Sequence, residues 1–389
     1  MTLWLVNFVA ASQFLIIAPV LPRILEALDM PESYGGSLVS IYAAMVAVFA
    51  LIAGPISDRF GRVAVLRAGS MSMTLALLAH GLVWDYPSML AVRGLAGMAS
   101  GVMAGAAAAY IGDIYPYERR GAAMGVIFSA MAFGQIIGIP AGTVLAGLGG
   151  FWLPFVVFAG FMVVGSLLTW TSLPHPDVAH AGKFGLGIVV RDYRDLVARV
   201  DISSVNAASL FMMFSVGAFI VYMPTWLEQA HGASAWDVAL MFLLGGVAQG
   251  AASPLVGRLS DRIGRKGLIV SGSFGVGVFF FATPFVPRLW MFWVFFPVVM
   301  ILVAARITPL QALMSALTGP EHRGSLMSLN MCFSQLGFGL GSAVAGVAWT
   351  YGFAVNAAVA GVTALLAASI VHFLVPEPDA LATQETGRA

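Results

Sequence analysis

The sequence predicts an all-α membrane protein with twelve transmembrane helices arranged as two six-helix bundles. Three observations carry that prediction. The chain of 389 residues is 60% hydrophobic and only 10% charged, where soluble domains carry roughly 25% charged residues. A soluble fold of this length would need a charged skin that the sequence does not supply. Residues 121–176 and 324–376 contain no Asp, Glu, Lys or Arg. A membrane-crossing helix takes roughly 20 apolar residues, so each run holds two helices and a tight turn, at Gly149-Gly150 and Tyr351-Gly352. Finally, the chain repeats itself. Gly54-Pro55-Ile56-Ser57-Asp58-Arg59-Phe60-Gly61-Arg62 recurs as Gly257-Arg258-Leu259-Ser260-Asp261-Arg262-Ile263-Gly264-Arg265, Arg120-Gly121 recurs as Arg323-Gly324, and Gly134 and Gly138 recur as Gly337 and Gly341. All three matches share one spacing, the mark of a duplicated bundle.

Charges, prolines and glycines then divide the chain. Helices are expected near 3–25, 33–56, 64–84, 86–111, 121–147 and 151–172, and again near 200–227, 235–257, 266–286, 289–317, 323–348 and 353–375. The domains are an N-terminal bundle, 1–172; a cytoplasmic linker, 173–199; a C-terminal bundle, 200–375; and a cytoplasmic tail, 376–389. The first helix begins directly after Met1-Thr2, with no basic segment or small-residue cleavage site before it, so no removed signal peptide is expected. The loop after helix two and its copy after helix eight hold Arg59, Arg62, Arg67 and Arg258, Arg262, Arg265, Lys266. Basic residues also gather at Arg119-Arg120, in the linker, at Arg323 and at Arg388, whereas the alternate loops hold only Arg23 and Arg288. Lys and Arg favour the cytoplasmic side, which puts both termini in the cytoplasm of a cell whose inner membrane holds the chain. Within the linker, the apolar run Phe184–Val190 beside mixed charge allows a partly surface-bound helix.

Individual residues stand out along this frame. Helix four carries Arg93 ahead of Gly97, Gly101 and Gly105. An arginine within a helix span costs at least ~2.5 kcal/mol to insert and needs a use, while glycines every fourth residue suit close helix packing. Helix five carries Gly134-x-x-x-Gly138-Ile139-Pro140-x-Gly142, a run that can bend and pack closely. Helix ten carries Arg306, whose repeat mate is Met103, so the symmetry is broken there. Polar side chains that could share a central cavity are Gln13, Tyr42, Gln135, Asn206, Tyr222, Gln249, Gln311, Asn330 and Gln335. The acidic residues fall at helix ends or loops, with Glu26 and Glu228 at the outer ends of helices one and seven and no carboxylate in the middle of helix one. His80 reads as a packed or interfacial histidine, and Cys332 as a buried packing residue.

At this point the chain resembles the major facilitator superfamily. The loop Gly54-x-x-x-Asp58-Arg59-x-Gly61-Arg62, with its degenerate copy Asp261-Arg262-x-Gly264-Arg265, is similar to that family's loop signature, and the resemblance covers nearly the whole chain. It implies a conformational-switch role for Gly54, Asp58, Arg59, Gly61, Arg62 and the copy, with Asp113 as the acidic partner. The mate of Asp113 is Ala316, so only the first half has a full charge relay. Leu90–Gly97 is similar to the family's membrane-embedded arginine motif, which assigns Arg93 to coupling. Gly134–Gly142 resembles the helix-five signature of the twelve-helix drug– or metabolite–proton antiporter branch, although Ile139 separates glycine from proline.

The function expected is a secondary active transporter working by alternating access, a gradient-driven exporter of a drug or small metabolite, with protons as a candidate coupling ion. The alternative is an organic-anion exchanger or symporter in which Arg93 and Arg306 neutralise the substrate; of the two, Arg306 is the stronger ligand contact. The partners expected are a small-molecule substrate and the lipid bilayer, with the chain a monomer. A net charge of +1 gives no reason to expect nucleic acid, a single cysteine excludes a multi-cysteine metal site, and no cofactor is expected. An enzyme is not expected either, because the sequence has no His-Glu-x-x-His, no Gly-x-Ser-x-Gly and no phosphate loop.

Overall fold

The structure, a computed structural model, describes residues 1–114, 126–127, 129–174, 186–318 and 323–376. Among them there is no strand. The first half comprises α1 (Thr2–Leu15), α2 (Ile17–Ala27), α3 (Gly35–Phe60), α4 (Arg62–Ala79), α5 (Tyr86–Ile114), a π-helical turn (Gly134–Gly138) leading into α6 (Ile139–Gly149), and α7 (Leu153–Thr171). A linker helix α8 (Leu186–Ala198) follows. The second half comprises α9 (Val200–Ile220), α10 (Met223–His231), α11 (Ala235–Ile263), α12 (Arg265–Ala282), α13 (Leu289–Leu317), α14 (Arg323–Trp349) and α15 (Phe353–Leu374). Eleven spans among the described residues are long and apolar enough to cross a membrane, or twelve with the bent pair α1–α2 taken as one.

Two of these spans are broken where the sequence suggests single straight helices. Between α1 and α2 the axis turns by 55°. Proline has no N–H to donate four residues back, so Pro19 leaves the carbonyl of Leu15 without its helical partner, and α1 ends at Leu15. The same arithmetic applies at Pro224, which cannot serve the carbonyl of Ile220, the last residue of α9. The breaks fall at corresponding places in the two halves. Other ends are set by local chemistry. At the start of α5, Asp85 Oδ1 accepts from the Ser88 amide and Ser88 Oγ accepts from the Asp85 amide, and hydrogen bonding with Ser88 holds the Asp85 carboxyl below its ordinary value. Ser234 and Asp237 form a capping box for α11.

Packing within each half follows the repeat. In the first, α3 lies on α5, α4 on α7, and α1 on the π turn; in the second, α11 lies on α13, α12 on α15, and α9 on α14. Between halves, α3 packs on α14 and α11 on α6, again a matched pair, and α2 meets α10. The linker helix seats Leu196 in an apolar cluster with Leu310, Leu313 and Leu317 of α13, and its outer face carries the Arg191–Asp195 pair.

Small residues make these approaches possible. A Cβ added at Gly337 or Gly341 of α14 would overlap the carbonyl oxygens of Leu210 or Phe214 on α9, whereas one at Gly160 of α7 would meet nothing within 4 Å. Gly337→Ala should therefore destabilise the folded protein by about 1–3 kcal/mol, the usual cost of overpacking, and Gly160→Ala should change it by less than about 0.5 kcal/mol. Thermal unfolding of the purified variants in one detergent checks the contrast.

Candidate functional site

The end of the molecule that carries Arg59, Arg62, Arg262 and Arg265 is here the basic end, and the opposite one the far end. At the basic end two sharp reversals join α3 to α4 and α11 to α12. Their hinge residues, Gly61 and Gly264, have φ of 91° and 96°, a region that side chains strain to enter. The turn at Gly61 places Arg62 beside the last turn of α5. There Arg62 Nε donates to Asp113 Oδ2 at 2.6 Å and Nη1 to Ser57 Oγ at 2.6 Å. In the second half the mate of Asp113 is an alanine, and the arginine finds backbone instead. Arg265 Nη1 donates to the Ala312 carbonyl at 3.1 Å, and Nη2 reaches Asp261 at 3.5 Å. Arg59 and Arg262 are exposed, and the Arg59 guanidinium lies 5.5 Å from the Phe60 ring. Gly54 and Asp58 occupy helical positions in α3, but their side-chain environment lies outside the described residues, as does Arg120.

The two membrane arginines are fully buried and lie apart, one in each half. Arg93 donates through Nε to the Leu38 carbonyl at 3.3 Å and through Nη1 to Gln13 Oε1 at 3.2 Å, and lies 4.5 Å over the Tyr42 ring. Gln13 Nε2 in turn donates to the Tyr42 hydroxyl at 2.8 Å, so one amide serves both partners. Arg306 donates through Nη1 to Ser215 Oγ at 3.3 Å and through Nη2 to the Met212 carbonyl at 3.2 Å. Neither guanidinium meets Glu26 or Asp113. Carbonyls, a hydroxyl, an amide and an aromatic face hold these charges, and in this conformation neither is open to a substrate anion. One nitrogen of each, Arg93 Nη2 and Arg306 Nε, has no hydrogen-bond partner.

The remaining nominated residues separate into groups. Gln135, Gln249 and Gln335 are half-buried, Gln311 is exposed, and Gln13 is buried in the Arg93 cluster. Asn330 Nδ2 donates to Asn206 Oδ1 at 3.2 Å and to Ser209 Oγ at 2.6 Å, a bond between helices α14 and α9. His80 is buried and stacks on Phe155 with ring centroids 4.0 Å apart, and Cys332 is buried. On helix five, Gly134 faces Ala11, Gly138 faces Ser12 and Gly142 faces Ile16. Pro140 sits in the first turn of α6, directly after the π turn. The glycine run is thus applied to helix one at its break.

A second cluster, at the far end, escapes the sequence reading. Tyr222 is fully buried there. It sits at the break between α9 and α10, donates to the Glu32 carbonyl at 2.6 Å and accepts from the Gly36 amide at 3.0 Å. The Glu32 carboxylate accepts from Gln229 Nε2 at 2.8 Å and from Trp349 Nε1. Arg23 and Glu228 approach to 3.6 Å across the same boundary. Below them Ser40 Oγ donates to the Gly339 carbonyl at 2.6 Å, and Phe14 packs on Phe338. These contacts join the two halves and close the far end. The partners are far apart in sequence, and the one available signal was the placement of Arg23 and Glu228 at facing helix ends.

The asymmetry at the basic end gives a direct expectation. Asp113→Asn removes a charge-assisted hydrogen bond worth about 1.5 kcal/mol. Turnover should fall about tenfold, with substrate affinity little changed and the unfolding temperature lowered by only a few degrees, whereas Asp261→Asn should slow turnover less. Transport rates, ligand affinity and thermal unfolding measured on the same preparations check this, and equal losses for both variants would remove the asymmetry.

Comparison with known proteins agrees with this geometry. The sequence model of the Major Facilitator Superfamily matches residues 3–247 and 205–388. The MFS-type transporter YceJ of Bacillus subtilis (strain 168) is 27% identical over 377 residues, covering 94% of this chain and 93% of its own length. The class G tetracycline resistance protein of Vibrio anguillarum is 28% identical, over 86% of this chain and 88% of its own. Among solved structures, an inward-facing, unoccupied bacterial homologue of the human lysosomal transporter Spinster superposes with a TM-score of 0.78 at 16% identity, covering 95% of this chain and 94% of that one. With two repeated six-helix halves, the paired signature loops and a match across both halves, the chain belongs to the major facilitator superfamily of membrane transporters.

Proposed function

We propose that this transporter is a gradient-driven exporter of a drug-like or small-metabolite substrate, coupled to protons, in a cytoplasmic membrane. The observation that carries the proposal is the seating of the helix-five glycine run on helix one. Gly142 meets Ile16, the residue at the 55° break, and Gly138 and Gly134 meet Ser12 and Ala11. A helix that slides on glycines against a hinge can move without losing contact, as an export gate requires. The tetracycline resistance relative supports the export direction. The basic loops support a cytoplasmic basic end with both termini inside, which makes the closed far end the outer one. The bundles 1–172 and 200–375 then rock against each other so that one end opens as the other closes, with the linker 173–199 between them. Gln135, Gln249 and Gln335, which are half-buried, are the side chains we assign to substrate contact.

Alternating access assigns opposite tasks to the two ends. The Glu32–Trp349–Tyr222 cluster holds the outer side shut, and its release has to be matched by closure at the basic end, where the Arg62–Asp113 pair orders the loop. Glu228, which approaches Arg23 to 3.6 Å across the closed end, is the acidic group we assign to proton uptake from outside.

Orientation is tested by thiol labelling in a Cys332→Ser background. Ser57 and Ser260, natural positions from the loop sequence alone, are helical and buried at 1% and 2% exposure, so cysteines belong at Phe60 and Ile263, which are 65% and 63% exposed. Both should react with an impermeant reagent only from the cytoplasmic side, and reaction from outside would invert the assignment. Function is tested by flux in proteoliposomes with an imposed pH gradient and a panel of cationic, neutral and anionic solutes. Export predicts solute movement opposite to the proton gradient. Movement in the same direction would make the protein a symporter, and flux indifferent to the gradient would remove proton coupling.

A further inference from the structure

The repeat makes one difference between the halves informative. In the first half, α4 and α7 lie side by side, and their basic-end junction is closed by an arginine. Arg67 donates through Nε to the Thr169 carbonyl at 3.3 Å and through Nη2 to the Trp170 carbonyl at 3.0 Å, and lies 4.7 Å over the Trp170 ring. Its guanidinium thus fills the space at the end of α7 and satisfies carbonyls that the helix terminus leaves over. The matching helices of the second half are α12 and α15. There the mate of Arg67 is Val270, which is too short to span the junction.

The space left is a groove of about 980 Å³ between α12 and α15. Its basic-end mouth carries Lys266 and His372, and its floor runs past Val270 and Ser271 to Phe274 and Leu365. Among the described residues Lys266 forms no ion pair, while the neighbouring Arg265 is already engaged by Asp261 and the Ala312 carbonyl. Lys266 is also in the first turn of α12, where the helix dipole adds positive potential. A cation at the membrane boundary above an apolar trough matches one kind of molecule, an anionic head on an acyl chain.

We propose that the α12–α15 groove is a binding site for one anionic phospholipid, with its phosphate at Lys266 and His372 and an acyl chain lying along Val270 and Phe274. The site is separate from the transport path and does not depend on the direction of transport. It stabilises the second half at the position where Arg67 stabilises the first.

The test is phosphatidylglycerol titration of delipidated full-length protein, read by native mass spectrometry, with phosphatidylcholine as the neutral reference and thermal unfolding as the folding control. Wild type should take up one phosphatidylglycerol in preference to phosphatidylcholine. Lys266→Gln should weaken that binding about fivefold, as expected for one lysine at a membrane surface. Val270→Arg is the sharper variant, because it restores the first-half plug and should weaken binding although it adds positive charge. Arg288→Gln, a basic residue at the far end, should leave binding unchanged. Unaltered binding in Lys266→Gln, or tighter binding in Val270→Arg, would overturn the proposal and leave only general attraction of lipid to a basic surface. Displacement of the lipid by inorganic phosphate at equal concentration would likewise exclude the acyl-chain trough as part of the site.

Discussion

The two halves of this transporter meet backbone to backbone at one end, and the rest of the arrangement follows from that contact. A Cβ at Gly36 would overlap the Ser342 carbonyl oxygen, and one at Gly346 would overlap that of Ser33. In a bilayer, apolar area does not favour helix association, because lipid tails are as apolar as leucine. Close approach, dispersion and hydrogen bonds have to supply the attraction. The Glu32, Tyr222, Trp349 and Ser40 hydrogen bonds are possible only because the glycines let α3 and α14 come so near. The far ends of helices one and seven complete the same closure, since α2 and α10 pack on each other there.

The buried arginines show the same economy in the use of polar groups. An unpaired charge in a low-dielectric interior is costly, and among the described residues neither arginine meets a carboxylate. The first half responds with a side-chain cluster in which Gln13 bridges Arg93 and Tyr42. In the second, Arg306 is held by the helix α9 backbone at Met212 and by Ser215, whose hydroxyl donates to the same carbonyl. Helix α9 is therefore tied to α13 through Arg306 and to α14 through the Asn206–Asn330 pair. Both ties are interior, so the helix can move only as part of its bundle. That is the mechanical behaviour expected of a body that rocks rather than deforms.

Much of this was legible in the sequence. The helix number, the repeat and the reversals at Gly61, Gly150, Gly264 and Gly352 came from charge spacing and glycine, and all four glycines have positive φ. The pairing of Arg62 with Asp113 followed from the family resemblance, and its loss in the second half from Ala316. The helix breaks could also have been placed, because Pro19 and Pro224 name the carbonyls they leave unserved. The closed end was not legible, since Glu32 and Trp349 are joined only by the fold and carry no shared motif. Nor could Gln311 be assigned a face. In a helix apolar all round, lipid-facing and core-facing sides look alike, and Gln311 is exposed.

The central claim is that the glycine contact at the far end is one half of a two-ended switch. Double electron–electron resonance between spin labels measures it most directly, with one pair at Leu82 and Tyr351 at the far end and one at Phe60 and Ile263 at the basic end, all exposed positions. Gly346→Val, which forces a side chain against Ser33, should lengthen the far-end distance and shorten the basic-end distance in the same molecules. A far-end distance that lengthens with no change at the basic end, or no change at either, would contradict it.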